Sequence, residues 1–516
     1  MSRTKKSIKN ILSSILFFAI GIILSFFSRT LFIHSLGQEL VGLNTTISNL
    51  VGILNLAELG IYSAVSFLLY KPLYEKDIAT ILTIIALYKK IYRNIGIFLL
   101  FTSLIIIPLL PYLITDEKVV WYYPILTFLV MMIGSLSNYF FNYRQILLWA
   151  NQEGYKATFI IEGTAKIKLI LQILCVLFIE RNVYLYWLLA EFLMHIFQIL
   201  LLEWCVKRNF EWLSDNIINQ DLFYSLRNDI YRTIRRIFFY RLSNVVIEHI
   251  SPLFVYIYIN LSVVTIYMNY LLLAKLLGQL SRFINSSVIA SIGHLIAEKN
   301  ITQEKIIFYQ FSSIKIFLGS LFSLGFWFES TNLISLIFGG NFILPNIEVF
   351  LFSLLVFMMT IRDISETFLF VRGIYDDIFA PIVEMIIYLF FTIGLGYLYE
   401  INGIILGIIA SYTFILIWKP WYLKQRLEFL DMRKYIKIIV KGIILIIVCY
   451  IIHTYQRLYI LDNLLPHFTI IKLILDSMLL ILITFILFFL FEKNFKYSIL
   501  KILVEVTKYF EFNKRL

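Results

Sequence analysis

The feature that most constrains this chain is a recurrence of apolar runs, each long enough to cross a bilayer. A helix needs about 20 apolar residues to span the hydrocarbon core. Runs of that length fall near residues 11–35, 41–70, 94–114, 122–142, 157–179, 184–205, 242–260, 263–292, 306–328, 348–370, 379–399, 402–419, 435–455 and 468–491. Fourteen such segments predict an all-α polytopic membrane protein, because in lipid a backbone must satisfy its own hydrogen bonds. Composition agrees: 60% of the 516 residues are hydrophobic and only 15% are charged. A soluble domain carries roughly 25% charged residues. The first run, from Ile11 to Leu31, is too long for a signal peptide and has no A-x-A cleavage site, so it reads as a retained first helix. Cys175, Cys205 and Cys449 sit in apolar runs without paired spacing, which points to packing and not to a disulfide or a zinc site.

The net charge of +12 is spread between the apolar runs, so it orients helices and does not form a nucleic-acid surface. With the N-terminus cytoplasmic, the basic stretches all fall inside: Arg3 to Lys9, Lys71 to Arg93, Lys207 to Arg241, Lys419 to Lys437 and Lys493 to Arg515. The outer segments hold only Arg29, Lys118, Arg181 and Arg457. This asymmetry places both termini on the cytoplasmic side of an inner or plasma membrane, and a miscounted helix would have scrambled it.

The expected organisation is an N-terminal lobe of six helices (1–205), a cytoplasmic linker (206–241), a second six-helix lobe (242–430), and two further helices with a basic tail (431–516). An echo at a constant offset of 223 lays Leu36–Asp77 on Ile259–Asn300, with identities such as Val41/Val264, Ser63/Ser286 and Glu75/Glu298. That offset pairs the second helix with the eighth, as parallel six-helix repeats require. In the linker, aromatics alternate with Arg227, Arg232, Arg235 and Arg236, the pattern of an amphipathic helix on the anionic inner leaflet. The tail from Phe495 to Leu516 has the same character. No G-x-x-x-x-G-K-[ST] occurs, which excludes an ATP-driven transporter within this chain. The longest outer loop, Glu329–Ile347, cannot hold a catalytic domain, so neither an enzyme nor a cofactor is expected.

A charge at the bilayer centre costs at least about 2.5–3.5 kcal/mol, so each one needs a partner or water. Counted from helix ends, Glu58, Lys166, Lys168, Lys275, Arg282, Lys315, Arg362, Asp363 and Glu366 lie at depth, with His195 and the amides Asn44, Asn49 and Asn55. Two pairs, Glu162/Lys166 and Arg362/Glu366, are spaced i,i+4 and can neutralise each other locally. Six cations against Glu58, Glu162, Asp363 and Glu366 leave a positive excess, which suits a phosphate or pyrophosphate head group. Arg29, Glu58, Lys166, Lys168, Lys275, Arg282, Lys315, Arg362, Asp363 and Glu366 are the expected residues of the translocation cavity, with Lys275, Arg282, Lys315 and Arg362 lining one water-filled space between the lobes.

The run FSRTLFIHSLGQELVGLNTTISNLVGILNLAELGIYSAVSFLLYKPLYEKD, Phe27 to Asp77, resembles the polysaccharide-transporter family of Wzx-type flippases. So do Asn142–Lys156, Ser262–Gln279, Ser291–Asn300 and the IFGGNF stretch at Ile337–Phe342. The resemblance implies the fold of the multidrug/oligosaccharidyl-lipid/polysaccharide exporter superfamily. It also implies movement of an undecaprenyl-pyrophosphate-linked glycan to the outer leaflet for capsule, O-antigen or exopolysaccharide assembly. The implied partners are that glycan, membrane lipids and other polysaccharide-assembly proteins. One departure stands in helix seven, where similar proteins tend to carry an acid and this chain has Ser251-Pro252. A multidrug-type exporter on the same fold, or a membrane-embedded polymerase, remain the alternatives.

Overall fold

In the computed structural model, residues 3–58, 61–213, 220–297, 301–372, 374, 376–427, 430–461 and 470–501 are described. Fourteen longer helices account for most of them: α1 (Arg3–Leu36), α2 (Gln38–Leu54), α3 (Ile61–Glu75), α4 (Ile78–Ile106), α5 (Tyr123–Phe140), α6 (Gly154–Phe178), α7 (Val183–Asn209), α8 (Gln220–Tyr258), α9 (Leu261–Ala297), α10 (Ile301–Phe338), α11 (Asn346–Val371), α12 (Phe379–Arg426), α13 (Met432–Gln456) and α14 (Ile470–Phe491). Among the described residues there is no strand. Each apolar segment of the sequence coincides with a helix: the second is divided into α2 and α3, and the eleventh and twelfth share α12. Nine helical stretches among the described residues are long and apolar enough to cross a membrane by composition alone. The second, fifth, seventh and tenth segments fall short for physical reasons. The second is interrupted at Asn55–Glu58, the fifth and tenth carry the mid-depth charges, and the seventh keeps only Val245–Tyr258 as a continuous apolar stretch. The architecture is an all-α polytopic membrane fold.

The chain divides into two compact units, Met1–Thr265 and Ile266–Leu516. The first therefore includes α8, which the sequence places in the second lobe. Its membrane half packs on α2, where the His249 ring lies against Gly52 and its Nδ1 is 3.0 Å from Asn49 Oδ1. A Cβ on Gly52 would come within 2.4 Å of that ring, so the seat exists because the residue is glycine. Further out, Tyr256 donates to the Leu113 carbonyl at 2.8 Å. The linker is continuous with this helix, and Arg227 and Arg235 are exposed on it. The side chains of Arg232 and Arg236, and the tail from residue 502, lie outside the described residues.

Also in the first unit, the opening turn of α9 crosses the start of α2. Ser262 Oγ donates to Glu39 Oε1 at 3.2 Å, and Thr265 Oγ1 donates to the Gln38 carbonyl at 2.7 Å. Glu39 and Ser262 are equivalent under the offset of 223, as are Gln38 with Leu261 and Gly42 with Thr265. The contacts Gln38–Thr265 and Gly42–Leu261 are thus an exchanged pair, the signature of a local two-fold relation.

In the second unit α12 is a helical hairpin. Glu400, at φ 51° and ψ −125°, turns the chain, and the two arms meet where Gly403 faces the Leu395 carbonyl and Gly407 faces Thr392. A Cβ at Gly403 would fall 1.9 Å from that carbonyl oxygen. Helices α13 and α14 seat on α10 through aromatic contacts, including Phe308 with Tyr435 and Phe317 with Phe488.

A Cβ at Gly42 would stand 2.0 Å from the Leu261 carbonyl oxygen, so backbone must move to accept it. Gly42→Ala should lower stability by roughly 1–3 kcal/mol, as overpacking does. Gly163→Ala, where nothing lies within 4 Å, should leave it unchanged or slightly raised. Thermal unfolding of both variants in detergent checks this.

Candidate functional site

The first unit builds its polar interior around the interruption between α2 and α3. Residues Asn55–Glu58 form a single 3-10 turn, which breaks the helical ladder at mid-span and exposes polar groups that need partners. Tyr92 of α4 donates to Glu58 Oε1 at 2.6 Å, and Tyr139 of α5 approaches Oε2 at 3.3 Å. Asn55 Oδ1 accepts from Ser135 at 2.5 Å and from Tyr139 at 3.2 Å. The Tyr88 and Tyr92 rings pack 4.1 Å apart beside them. Glu58 is thus held by phenols, the hydrogen-bonding arrangement that keeps a carboxylate satisfied without a cation. Discontinuous helices of this kind mark the solute and ion sites of many secondary transporters.

The other deep charges of this unit are paired. Lys166 meets Glu162 at 2.7 Å along α6, as the i,i+4 spacing predicts. Lys168 instead reaches across to Glu191 on α7 at 3.0 Å, and His195 Nε2 lies 3.7 Å from the same carboxylate. The His195 ring fills the space over Gly134, so it packs α7 against α5. Arg29 Nη2 donates to the Thr265 carbonyl at 3.4 Å.

The second unit gathers charges from four helices. Lys315 of α10 is fully buried and contacts Ser281 Oγ, Asn285 Oδ1 at 2.9 Å and Asp363 Oδ2 at 3.6 Å. Asn285 closes the ring by donating to Asp363 Oδ2 at 2.9 Å. The neighbouring Arg362 donates to Glu384 of α12 at 2.9 Å and to Glu366 at 3.4 Å. Its guanidinium also lies 4.3 Å from the Tyr412 ring centroid, a cation–π distance. On α9, Lys275 is half-buried and Arg282 is exposed, one residue from the buried Ser281.

Of the residues singled out by sequence, Arg29, Glu58, Lys166 and Lys168 belong to the first unit, and Lys275, Arg282, Lys315, Arg362, Asp363 and Glu366 to the second. The structure brings Lys315 to Asp363 and Arg362 to Glu366, and it sends Lys166 and Lys168 to separate acids. Sequence reasoning missed Glu191, Glu384, Tyr92, Tyr139 and Tyr412. The two acids lie toward the ends of their helices by count, and their partners come from other helices. The tyrosines were masked by 32 other residues of the same type in each case, since the chain has 33. Adding Glu191 and Glu384 to the four acids counted from the sequence gives six against the six cations counted there, so that count holds no positive excess.

Each compact unit thus holds a buried polar cluster, beside the interrupted α2–α3 segment in the first and against the α12 hairpin in the second. The fold is similar to that of several solved transporters. An inward-facing multidrug resistance MATE family transporter of the MOP superfamily superposes at a TM-score of 0.62 and 12% identity, over 78% of this chain and 94% of its own. The lipid II flippase MurJ, in an inward closed conformation, superposes at 0.58 and 19% identity, over 93% of this chain and 99% of its own. A MOP superfamily transporter from Pyrococcus furiosus, described by the reverse polarity of its binding pocket, gives 0.57 and 12% identity over 83% and 96%. No protein-family model matches the chain, and no curated relative does.

Glu384→Ala leaves a buried guanidinium short of its main partner and should cost roughly 3–5 kcal/mol, as breaking a buried pair does. The paired change Arg362→Met with Glu384→Leu removes both charges, while Glu366 stays half-buried, and should cost clearly less. Thermal unfolding of the two variants in the same detergent decides it.

Proposed function

We propose that the protein is a flippase that carries undecaprenyl-pyrophosphate-linked oligosaccharide units from the cytoplasmic to the outer leaflet by alternating access. The observation that carries this reading is the match to a lipid II flippase along 93% of this chain, where the MATE-type neighbours account for 78–84%. The segments Phe27–Asp77 and Asn142–Lys156, which resemble Wzx-type flippases, support the same reading. The chemistry is consistent with it. A pyrophosphate can replace a carboxylate on Lys315 and Arg362, because both anions offer paired oxygens to the same donors. Arg282 is the exposed cation on α9 that would meet the anion first. In this scheme the glycan and head group cross through polar surroundings and the prenyl tail stays in the bilayer.

A second reading, a multidrug-type exporter, draws on the equality of deep acids and cations. An electroneutral interior has no fixed preference for an anion and would admit a neutral or cationic solute.

Reconstitution into liposomes with a fluorescent undecaprenyl-pyrophosphate glycan separates the two. The flippase reading expects the label to become accessible to an impermeant quencher at a rate that depends on the protein. Arg282→Gln should slow it about tenfold, equivalent to about 1.4 kcal/mol. Transport of a lipophilic cation with no movement of the glycan would overturn this reading in favour of the second.

A further inference from the structure

In the second unit α12 ends at Arg426 and α13 begins at Met432, so one short turn joins them. Leu423, Leu427 and Leu430 are buried beneath it. Tyr309 of α10 fastens the turn: its hydroxyl accepts from the Asp431 amide at 3.0 Å and donates to the Asp431 carbonyl at 3.3 Å. The Asp431 carboxylate is committed to the same place, because its Oδ1 caps α13 by accepting from the Arg433 and Lys434 amides. The backbone on both sides is therefore fixed.

Five exposed cations stand on this turn, Lys424 and Arg426 at the end of α12 and Arg433, Lys434 and Lys437 at the start of α13. Among the described residues none of the five makes an ion pair, although the cations that flank them do. Lys419 meets Asp377 at 2.9 Å, and Lys441 meets Glu492 at 3.5 Å. Glu428, the other acid of the turn, lies outside the described residues. Tyrosine rings steer two of the five: Arg426 is 5.3 Å from the Tyr422 centroid and Lys434 is 4.2 Å from that of Tyr309. Arg433 and Lys437 are spaced i,i+4, so they repel along one face, a cost that an anion placed on them relieves.

What kind of anion fits is decided by the surroundings. The face of α13 that carries Arg433 and Lys437 continues at helical spacing through Val440, Ile444 and Ile447, each about half exposed. One stripe thus passes from cationic to apolar within two turns, as a lipid passes from head group to chain. On α12, Trp421 is 44% exposed and packs 5.0 Å from Trp418, and such rings settle at the head-group level of a bilayer. An acidic protein surface would leave Val440 and Ile444 uncovered, whereas a lipid covers them with its chains. Basic pockets between helix ends on the cytoplasmic side recognise anionic head groups in this way.

We propose that this turn is a binding site for an anionic phospholipid of the inner leaflet. The lipid phosphate lies on Arg433 and Lys437, with Lys424 and Arg426 across the turn, and its chains run along Val440 and Ile444. The bound lipid neutralises the turn and steadies the inner ends of α12 and α13.

Titration of the full-length protein in detergent with phosphatidylglycerol or phosphatidylcholine of the same chains, read by native mass spectrometry, tests this. The wild type is expected to retain phosphatidylglycerol in preference. Lys424→Gln combined with Arg433→Gln and Lys437→Gln should weaken its apparent affinity by about tenfold or more. Removing three other exposed cations, Lys71→Gln, Lys207→Gln and Arg208→Gln, should leave that affinity unchanged. Equal retention of the two lipids by the wild type, or an equal loss in both triple variants, overturns the proposal, since basic residues that only orient helices would behave so. Displacement of the lipid by inorganic phosphate at the same concentration overturns it in favour of a free-anion site. If the first triple variant does not fold, Arg433→Gln alone is expected to weaken retention, and an unchanged affinity there is equally fatal.

Discussion

Every polar atom placed inside the hydrocarbon layer must find its partner within the protein, because lipid offers none. The rest of the structure follows from that. Hydroxyls in the spans turn back onto their own helices: Thr83 to the Ala79 carbonyl, Ser312 to Phe308, Ser320 to Ile316, Thr360 to Val356 and Thr484 to Leu480. Each of these satisfies a donor locally and asks nothing of the neighbouring helix. They are therefore spread through the fold without shaping it.

Charges behave differently, since one helix rarely satisfies them. Lys168 with Glu191 joins α6 to α7, Arg362 with Glu384 joins α11 to α12, and Arg372 with Glu304 joins the inner ends of α10 and α11. Lys419 and Asp377 link the two ends of the α12 hairpin region, with Trp418 donating to the same carboxylate at 3.1 Å. Such pairs cost more to break than they contribute when intact, so they act to specify which helices are neighbours. They also leave the interior electroneutral, which changes what a transported anion would have to do. It must exchange with a carboxylate already in place, where a counted excess of positive charge implied open binding sites.

Close helix contact supplies the other half of the architecture. Burial against lipid gains nothing from the hydrophobic effect, so packing depends on backbones approaching closely. Gly42 against Leu261, Gly52 against the His249 ring, and Gly403 and Gly407 within the α12 hairpin are the places where a side chain is excluded. The exchanged contacts around Gly42 follow the offset of 223, so the weak internal echo in the sequence marks real structural equivalence at that crossing. The interruption at Asn55–Glu58 has the opposite effect, opening the ladder so that an acid can be held by Tyr92 and Tyr139.

The sequence by itself determined that the fold is all-helical and where its long helices lie, because a 20-residue apolar run has one stable conformation in a bilayer whatever its neighbours are. It also determined the local ion pairs Glu162–Lys166 and Arg362–Glu366, since i,i+4 spacing is a property of a single helix. Only the tertiary structure decided that α8 packs on α2, that Lys168 turns to Glu191, and that Arg362 takes Glu384 and the face of Tyr412. It alone brought His453 of α13 and the following Arg457 to Asp476 of α14. Helical periodicity says which face a residue occupies on its own helix, and it carries no information about which other face is set against it. The partner of a buried charge is decided by that second fact.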